Sequence, residues 1–368
     1  MTALVGDLQA LIECESPSDD LAAVRRSADL VAAMGERLFS VAPERIEIDG
    51  RSHVRWQFGA PRVLVLAHHD TVWPIGTIDR LPFSNDGSTL RGPGAFDMKA
   101  GLAMAFHAIA DLADRDGVCL LVTGDEELGS PSSRQLIEDT ARGCDAVFVL
   151  EASADGGALK IGRKGVSLYR VIVTGKAAHA GLEPHNGVNA SIEAAHVLLQ
   201  VAALGDEVAG TTVVPTVISG GTTTNTVPAR AEFAVDVRVK TLAEQARVDE
   251  QIRAIAPTLP GASIVIEGGA NRPPMEPSAA AALFSRAERL ARELDLTPFD
   301  GVSVGGASDG NFTAGIGVPT LDGLGAVGGG AHADHEHVIV AMLAERTTLL
   351  RALIVDVLAS GTPDGHHG

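Results

Sequence analysis

Cysteine is scarce in this 368-residue chain: Cys14, Cys119 and Cys144 stand far apart. Their number and spacing argue against a disulfide framework or a thiolate zinc site. Two of the three lie in or beside apolar runs and read as buried, inert thiols. Basic residues are also in deficit, 29 against 47 acidic ones, for a formal charge of -18. That balance argues against nucleic acid and anionic membrane surfaces as partners. No apolar run approaches the ~20 residues needed to span a bilayer. The opening stretch, MTALVGDLQALIECESPSDD, has no basic segment followed by an apolar one and a cleavage site, so a cytoplasmic location is expected. Aromatic residues make up only 4% of the chain, but with 45% hydrophobic and 21% charged residues the composition is that of a globular protein. Internal repeats and low-complexity linkers are absent, and the terminal GTPDGHHG reads as disordered.

What the chain does have is a repeated coincidence. An apolar run stops at residues able to ligate a metal three times: VLVLA before His68-His69-Asp70, VCLLVTG before Asp125-Glu126-Glu127, and AVFVL before Glu151. Runs of this kind read as strands buried on both faces of a parallel sheet. The carboxyl ends of such strands form the crevice where small molecules bind. Asp97, in the Gly/Pro-rich loop RGPGAFDMKAG between the first two runs, is a fourth candidate.

Alternation along extended chain puts His68 and Asp70 on one face and His69 on the other. A ligating imidazole usually gives its second N–H to an orienting carboxylate, so His68 reads as ligand, Asp70 as its orienter and His69 as packing. Alone, a His-x-Asp pair would be a surface hydrogen bond; here it has company. Glu126 and Glu127 are adjacent carboxylates after a buried strand, a conflict of like charges that a cation removes. On extended chain neighbours point apart, so one can ligate while the other serves as general base. The competing reading is an acidic helix N-terminus. Late in the chain His332 is flanked by Asp334, His335, Glu336 and His337. Composition does not choose among these three histidines, and a solvated loop is the alternative.

The length suggests two domains. Helical spacing of apolar residues appears over 20–39 and 99–112, and the segment 99–112 with its loop and following strand makes a right-handed crossover. The pattern changes at Gly162-Arg163-Lys164-Gly165, a hinge whose Arg163 and Lys164 read as solvated charges. In ARAEFAVDVRV, Ala231, Phe233, Val235, Val237 and Val239 alternate with Arg230, Glu232, Ala234, Asp236 and Arg238, the signature of an antiparallel sheet open on one side. With helices over 189–201 and 242–255 this predicts a βαββαβ insertion. A helix over 279–294 then returns to the first domain. The expected division is 1–165 and 273–368 for one domain and 166–272 for the other.

The string HHDTVWPIGTID, then PFSNDG, RGPGAFDMKAGLA, GDEELGS, LEAS, GRKG, GKAAHAG, NTVP, DVR, GGASDGN and GGGAHADHEHV, resembles the co-catalytic zinc peptidase family. That family holds the glutamate carboxypeptidases of carboxypeptidase G type, acetylornithine deacetylase, succinyl-diaminopimelate desuccinylase and aminoacylase. The resemblance implies an α/β catalytic domain with a mostly parallel sheet covered by helices, plus an inserted α+β lid and dimerisation domain. It implies two Zn²⁺ per subunit, with Co²⁺ or Mn²⁺ able to substitute. Asp97 would bridge the metals, His68 and Glu151 would hold one, Glu127 and His332 the other, and Glu126 would be the base for a metal-bridging hydroxide. The peptide after the bridging aspartate, Asp97–Met98, would be cis. His179, in GKAAHAG, would act from the partner's lid to polarise the scissile carbonyl. Asn225 and Arg238 would hold the substrate's carboxylate, helped by the backbone around Gly306 and Ala307.

The implied protein is a homodimeric hydrolase cleaving an amide bond beside a free carboxylate, with a C-terminal glutamate-type residue as leading substrate. An N-acyl amino acid deacylase would keep the same residues. A metal-binding relative without activity is the third reading, opposed by the retention of Glu126.

Overall fold

The structure, a computed structural model, describes residues 2–360; the GTPDGHHG tail lies outside the described residues. The chain divides into two compact units. One comprises the chain up to Gly162, Glu276–Val304 and the chain from Ser308; the other comprises Arg163–Met275 with Gly305–Ala307.

The first unit is built on a six-stranded sheet with the order Glu44–Ile48, Arg51–Phe58, Val118–Thr123, Val63–His68, Ala146–Val149, Thr320–Leu321. The three apolar runs that end at candidate ligands are its neighbouring central strands. They run parallel and every residue in them is buried, as near-continuous Val/Leu sequences demand. Thr320–Leu321 adds a further parallel strand beside Ala146–Val149. The other edge is an antiparallel hairpin not expected from the sequence, turning at Asp49 and Gly50 with φ of 52° and 76°. An Asp-Gly pair supplies the two positive φ values such a two-residue turn requires.

Helices cover this sheet. Leu21–Phe39 starts at Asp20, whose carboxylate accepts from the Ala22 and Ala23 N–H groups at 2.9 and 3.0 Å, a side-chain cap for two otherwise orphaned donors. It buries Val24, Ala28 and Val31 on one face. Ala100–Ala110 packs against the Val63–His68 strand and against Val340–Ala359. That last helix and Thr2–Glu13 were also not expected, although Leu343, Arg346, Leu349, Leu350, Leu353 and Val357 are buried at helical spacing. Cys119 and Cys144 lie free within one cluster with Leu64, Leu121, Ile137 and Phe312; burial pushes their thiols up to about 12 and about 11. Cys14 is also free, half-buried, with its pKa raised by burial.

The second unit has the element order Gly165–Thr174, Ala190–Ala202, Thr212–Gly220, Arg230–Val239, Leu242–Arg253, Ser263–Arg272, a βαββαβ unit. Its sheet is antiparallel throughout, in the order 212–220, 230–239, 165–174, 263–272. Ala231, Phe233, Val235, Val237 and Val239 form its core with Val171, Val173, Val197, Val248 and Ile252.

Close backbone approach shapes the first unit where strand meets loop. A Cβ on Gly101 would lie 2.0 Å from the Leu150 carbonyl oxygen, and one on Gly325 2.2 Å from the same atom. Only glycine lets both segments close on the residue before Glu151. Gly101→Ala is expected to cost about 1–3 kcal/mol through overpacking. Gly6→Ala, with nothing within 4 Å of the added carbon, should instead stabilise its helix by roughly 0.5–1 kcal/mol. Denaturant unfolding of the two variants checks the contrast.

Candidate metal centre

The residues that the resemblance names as ligands or base, His68, Asp97, Glu126, Glu127, Glu151 and His332, come together in the first unit, where His68, Glu126, Glu127 and Glu151 follow or close its central strands. His68 closes its strand, buried, with Nε2 3.5 Å from Asp97 Oδ1 and 3.5 Å from Glu151 Oε1. His332, from the late loop, has Nε2 3.3 Å from Asp97 Oδ2 and 3.3 Å from Glu127 Oε2. Asp97 thus turns one oxygen to each imidazole. The Asp97–Met98 peptide is cis, as the resemblance implies. One donor atom each from His68, Glu126 and Glu151 lies within 4.8 Å of the others, and the same holds for His68, Asp97 and Glu127.

These separations are too long for good hydrogen bonds, but they suit a shared cation. Two ligands each ~2.0–2.2 Å from a tetrahedral zinc lie about 3.3–3.6 Å apart. His68 Nε2 and Glu127 Oε1 are buried without a hydrogen-bond partner, the mark of polar atoms whose partner is something other than protein. The donor set, imidazole and carboxylate without thiolate, fits catalytic zinc and leaves coordination for water.

Electrostatics points the same way. Burial, reinforced by Asp97, raises the Glu127 pKa despite the nearby imidazoles. Burial opposes ionisation of Asp97 too, but contacts with His332 and His68 overcome it and hold its carboxyl far below the usual range. Asp97 and Glu127 raise His332 to about 10. Burial favours neutral His68, yet Asp70, Asp97 and Glu151 together raise its pKa well above normal. The cluster demands positive charge, which protons supply in the metal-free protein and which a metal displaces.

Asp70 braces two of these donors. It accepts from Ser18 Oγ at 2.6 Å and from the Glu126 and Glu127 N–H groups at 3.2 Å each, and Oδ1 lies 3.4 Å from His68 Nδ1. A closer partner of His68 Nδ1 is the main-chain oxygen of Asp70, at 3.0 Å. His69 points away, Nε2 bonding to the Ser52 oxygen at 3.0 Å, and burial lowers it to about 4.

Three expectations are corrected. Glu126–Leu128 is a 3₁₀ turn rather than extended chain. The turn begins after Asp125, whose carboxylate accepts from the Ser132 and Ser133 N–H groups and hydroxyls at 2.5–3.2 Å. Arg163 is buried rather than solvated and donates to the Gly306 oxygen at 3.1 Å. Accordingly Gly306 and Ala307 belong with the inserted unit and not with the catalytic one.

Within the inserted unit the proposed substrate residues fall into two groups. His179 is exposed, and its Nδ1 accepts from the Gly181 and Leu182 N–H groups at 3.1 Å each. Its proton is thereby assigned to Nε2, which is left as a donor. Asn225 lies beside it, its main-chain oxygen accepting from Ala180 N at 2.9 Å. Arg238 is elsewhere: eight residues along the strand from Arg230 (238 − 230), about 26 Å at ~3.3 Å per residue. Its fork rests on Asp236, at 2.8 and 2.9 Å.

Glu336 was legible only as part of a His-rich tract, yet its buried carboxylate touches the Asp97 loop. Asp309, which accepts from Thr123 Oγ1 at 3.1 Å and from Ser130 Oγ, lies in the GGASDGN block that carries the resemblance, but no role was read for it.

An oxygen- and nitrogen-rich centre at the carboxyl edge of a parallel sheet, beside an inserted α+β unit in the sequence, defines a metallopeptidase type of fold. The family described as Peptidase family M20/M25/M40 matches residues 64–356, and the chain belongs to it. Carboxypeptidase G2 of Pseudomonas sp. (strain RS-16) is 28% identical over 381 residues, covering 96% of this chain and 89% of the relative. Succinyl-diaminopimelate desuccinylase 2 of Shewanella loihica (strain ATCC BAA-1088 / PV-4) is 30% identical, covering 87% and 93%. Among solved structures, an M20 family metallo-carboxypeptidase, Sso-CP2 of Sulfolobus solfataricus, shares the fold with a TM-score of 0.72 at 17% identity, over 96% of this chain and 99% of that one. Aminopeptidase PepT of Bacillus cereus ATCC 10987 also gives 0.72, at 22% identity over 96% and 98%. The protein is therefore a hydrolase of a metallopeptidase family, with the metal cofactor that membership implies. No helix among the described residues is long and apolar enough to cross a membrane.

Asp70→Asn replaces an acceptor-only group facing several donors with one that donates from half its surface. Metal affinity should fall by about 10–100-fold, the usual effect of losing a ligand's orienting partner. Zinc competition against a chromophoric chelator measures this, and wild-type affinity in the variant would refute the bracing role.

Proposed function

We propose that this protein is a di-zinc hydrolase that cleaves an amide bond next to a free carboxylate, with a C-terminal glutamate-type residue as leading substrate. The observation that carries the two-metal reading is Asp97, whose two oxygens face His68 and His332 separately. His68 and Glu151 would hold one ion with Asp97, and Glu127 and His332 the other. Bound there, zinc would supply Lewis acidity toward the carbonyl and a more acidic attacking water. Glu126, buried beside the donors of His68 and Glu151, takes the water's proton and returns it to the leaving nitrogen.

The substrate's ends fall to the inserted unit. His179 presents Nε2–H to the carbonyl oxygen as charge develops there. Arg238 binds the carboxylate by exchanging its Asp236 partner for the substrate, since a guanidinium fork matches either. His179 is bridged to Thr226, before the Arg230 end of the strand, and Arg238 lies at the other end, about 26 Å of strand from Arg230, which argues against one chain bringing all three residues to one small substrate. A homodimer in which His179 and Asn225 serve the second copy meets that constraint. An apolar surface is available for it: Ile192 and Leu199 on helix Ala190–Ala202, and Val217 and Ile218 on the edge strand Thr212–Gly220, are 50–75% exposed. An edge strand with such side chains is a ready pairing surface.

Glutamate preference rests on the resemblance to glutamate carboxypeptidases of carboxypeptidase G type; the likeness to carboxypeptidase G2 along nearly the whole chain supports a carboxypeptidase. The comparable likeness to a succinyl-diaminopimelate desuccinylase favours a second reading, an N-acyl amino acid deacylase. Hydrolysis of a panel of peptidyl and N-acyl amino acids by zinc- and cobalt-loaded protein separates the two. Equal rates on free acids and their C-terminal amides would exclude both.

Glu126→Gln is expected to keep its metal and lose roughly 10²–10⁴-fold in turnover, whereas Glu127→Gln should lose metal. Metal analysis showing the reverse would exchange the two roles. Mixing inactive His179→Ala with inactive Glu126→Gln subunits should restore part of the activity, because one site of the heterodimer keeps both residues. Proven subunit exchange without recovery would remove the trans role of His179.

A further inference from the structure

We propose that Glu336 is a positioning residue: it locks the loop carrying His332 to the loop carrying Asp97 and thereby sets the metal position those two residues share. The proposal rests on the ligand assignment given above.

Glu336 is 3% exposed and accepts four hydrogen bonds. Oε1 receives the N–H groups of Phe96 at 2.8 Å and Asp97 at 3.0 Å. Oε2 receives the N–H of Gly94 at 3.0 Å and the indole N–H of Trp73 at 2.8 Å. Three of these donors are the backbone that presents Asp97. The fourth belongs to a residue five positions after His68. One side chain, four residues beyond His332, therefore reaches the segments bearing two other ligands.

His332 needs such an anchor. Its imidazole is about half exposed, and its backbone has φ of 60° in a turn closed by Ala333 N to Gly330 O at 2.9 Å and Glu336 N to Ala333 O at 2.8 Å. The contacts recorded for its ring are with Asp97 and Glu127, which are themselves proposed ligands and repel one another without a cation. Other side-chain tethers of this loop are exposed: Arg80 to Asp334, and Arg91 to the His335 oxygen at 3.2 Å. Exposed pairs of this kind contribute little. The buried carboxylate is the rigid link between residues 235 positions apart (332 − 97).

The chemistry demands glutamate. Each oxygen accepts two donors, so Glu336→Gln turns one pair of acceptances into donor-to-donor contacts while keeping the volume. Aspartate is one methylene too short to span the same donors.

The test is zinc titration of metal-stripped full-length protein against a chromophoric chelator, for wild type, His332→Ala, Glu336→Gln and Trp73→Phe. Wild type should bind two equivalents, and His332→Ala should abolish one of them. In Glu336→Gln that same equivalent should weaken by about 10–100-fold, as for loss of a ligand's supporting partner, while the other, which loses only the bracing of the shared Asp97, should weaken clearly less. Trp73→Phe removes one donor of four and should weaken the same equivalent less. Trp73 is one of only two tryptophans, the other being the buried Trp56. Its fluorescence should therefore shift in metal-free Glu336→Gln but not in metal-free His332→Ala. Wild-type affinities in Glu336→Gln, or an equal loss of both equivalents, overturns the proposal. If Glu336→Gln does not fold, Trp73→Phe decides: selective weakening supports the lock and none refutes it. Failure of the wild type to bind two equivalents, or of His332→Ala to lose one, would instead strike the ligand assignment.

Discussion

Negative charge packed into one edge of a sheet is the constraint on which the rest of the first unit depends. The carboxylates of Asp70, Asp97, Glu126, Glu127 and Glu151 meet there with the imidazoles of His68 and His332 set among them. Burial and mutual repulsion raise Glu127, while the imidazoles hold Asp97 far below its ordinary value. Such a cluster is tolerable only with cations in it. The three buried parallel strands deliver the side chains to that edge, and the helices on their faces keep the strands dry.

The segments that carry the candidate ligands are braced by one another through a common device. A buried carboxylate on one segment accepts the backbone N–H groups of the next: Asp70 those of Glu126 and Glu127, and Glu336 those of Gly94, Phe96 and Asp97. Asp125 does the same for the Ser132–Ser133 turn. Backbone donors are stiffer than side-chain ones, so the donor atoms are held before any ion arrives. Preorganisation of this kind is what a catalytic site requires of its surroundings.

Much of this was legible in the sequence because burial on both faces leaves an unmistakable trace. VLVLA, VCLLVTG and AVFVL could hardly be other than central strands, and the residues that stop them, His68, Glu126, Glu127 and Glu151, had to lie along one edge. The alternation in ARAEFAVDVRV likewise announced an antiparallel, one-sided sheet. The conformation of Glu126–Glu127 was not legible, since a strand's pattern says nothing of the turn that ends it. Arg163 read as solvated because its partner is a main-chain oxygen far along the chain, which leaves no local pattern. The partners of Glu336 and Asp309 were hidden for the same reason, although both residues lay within quoted motifs. The Asp49–Gly50 hairpin did carry its signal, an Asp-Gly pair between short extended runs, but it lay outside the metal-ligand pattern.

The two-unit architecture has a consequence for how the chain comes into being. Arg163–Met275 is nearly contiguous, whereas the first unit is interrupted at Gly162 and resumes only at Glu276. During synthesis from the N-terminus, the βαββαβ segment is the first to have essentially all its chain. The earlier sheet must wait for Thr320–Leu321, for His332 and for the helix Val340–Ala359. Its central strands, rich in apolar residues, meanwhile stand without their last covering helix, a stage at which unfinished parallel sheets are prone to aggregate. The nascent first unit is the part of this protein with most to gain from a chaperone, and the metal centre is among the last features to form.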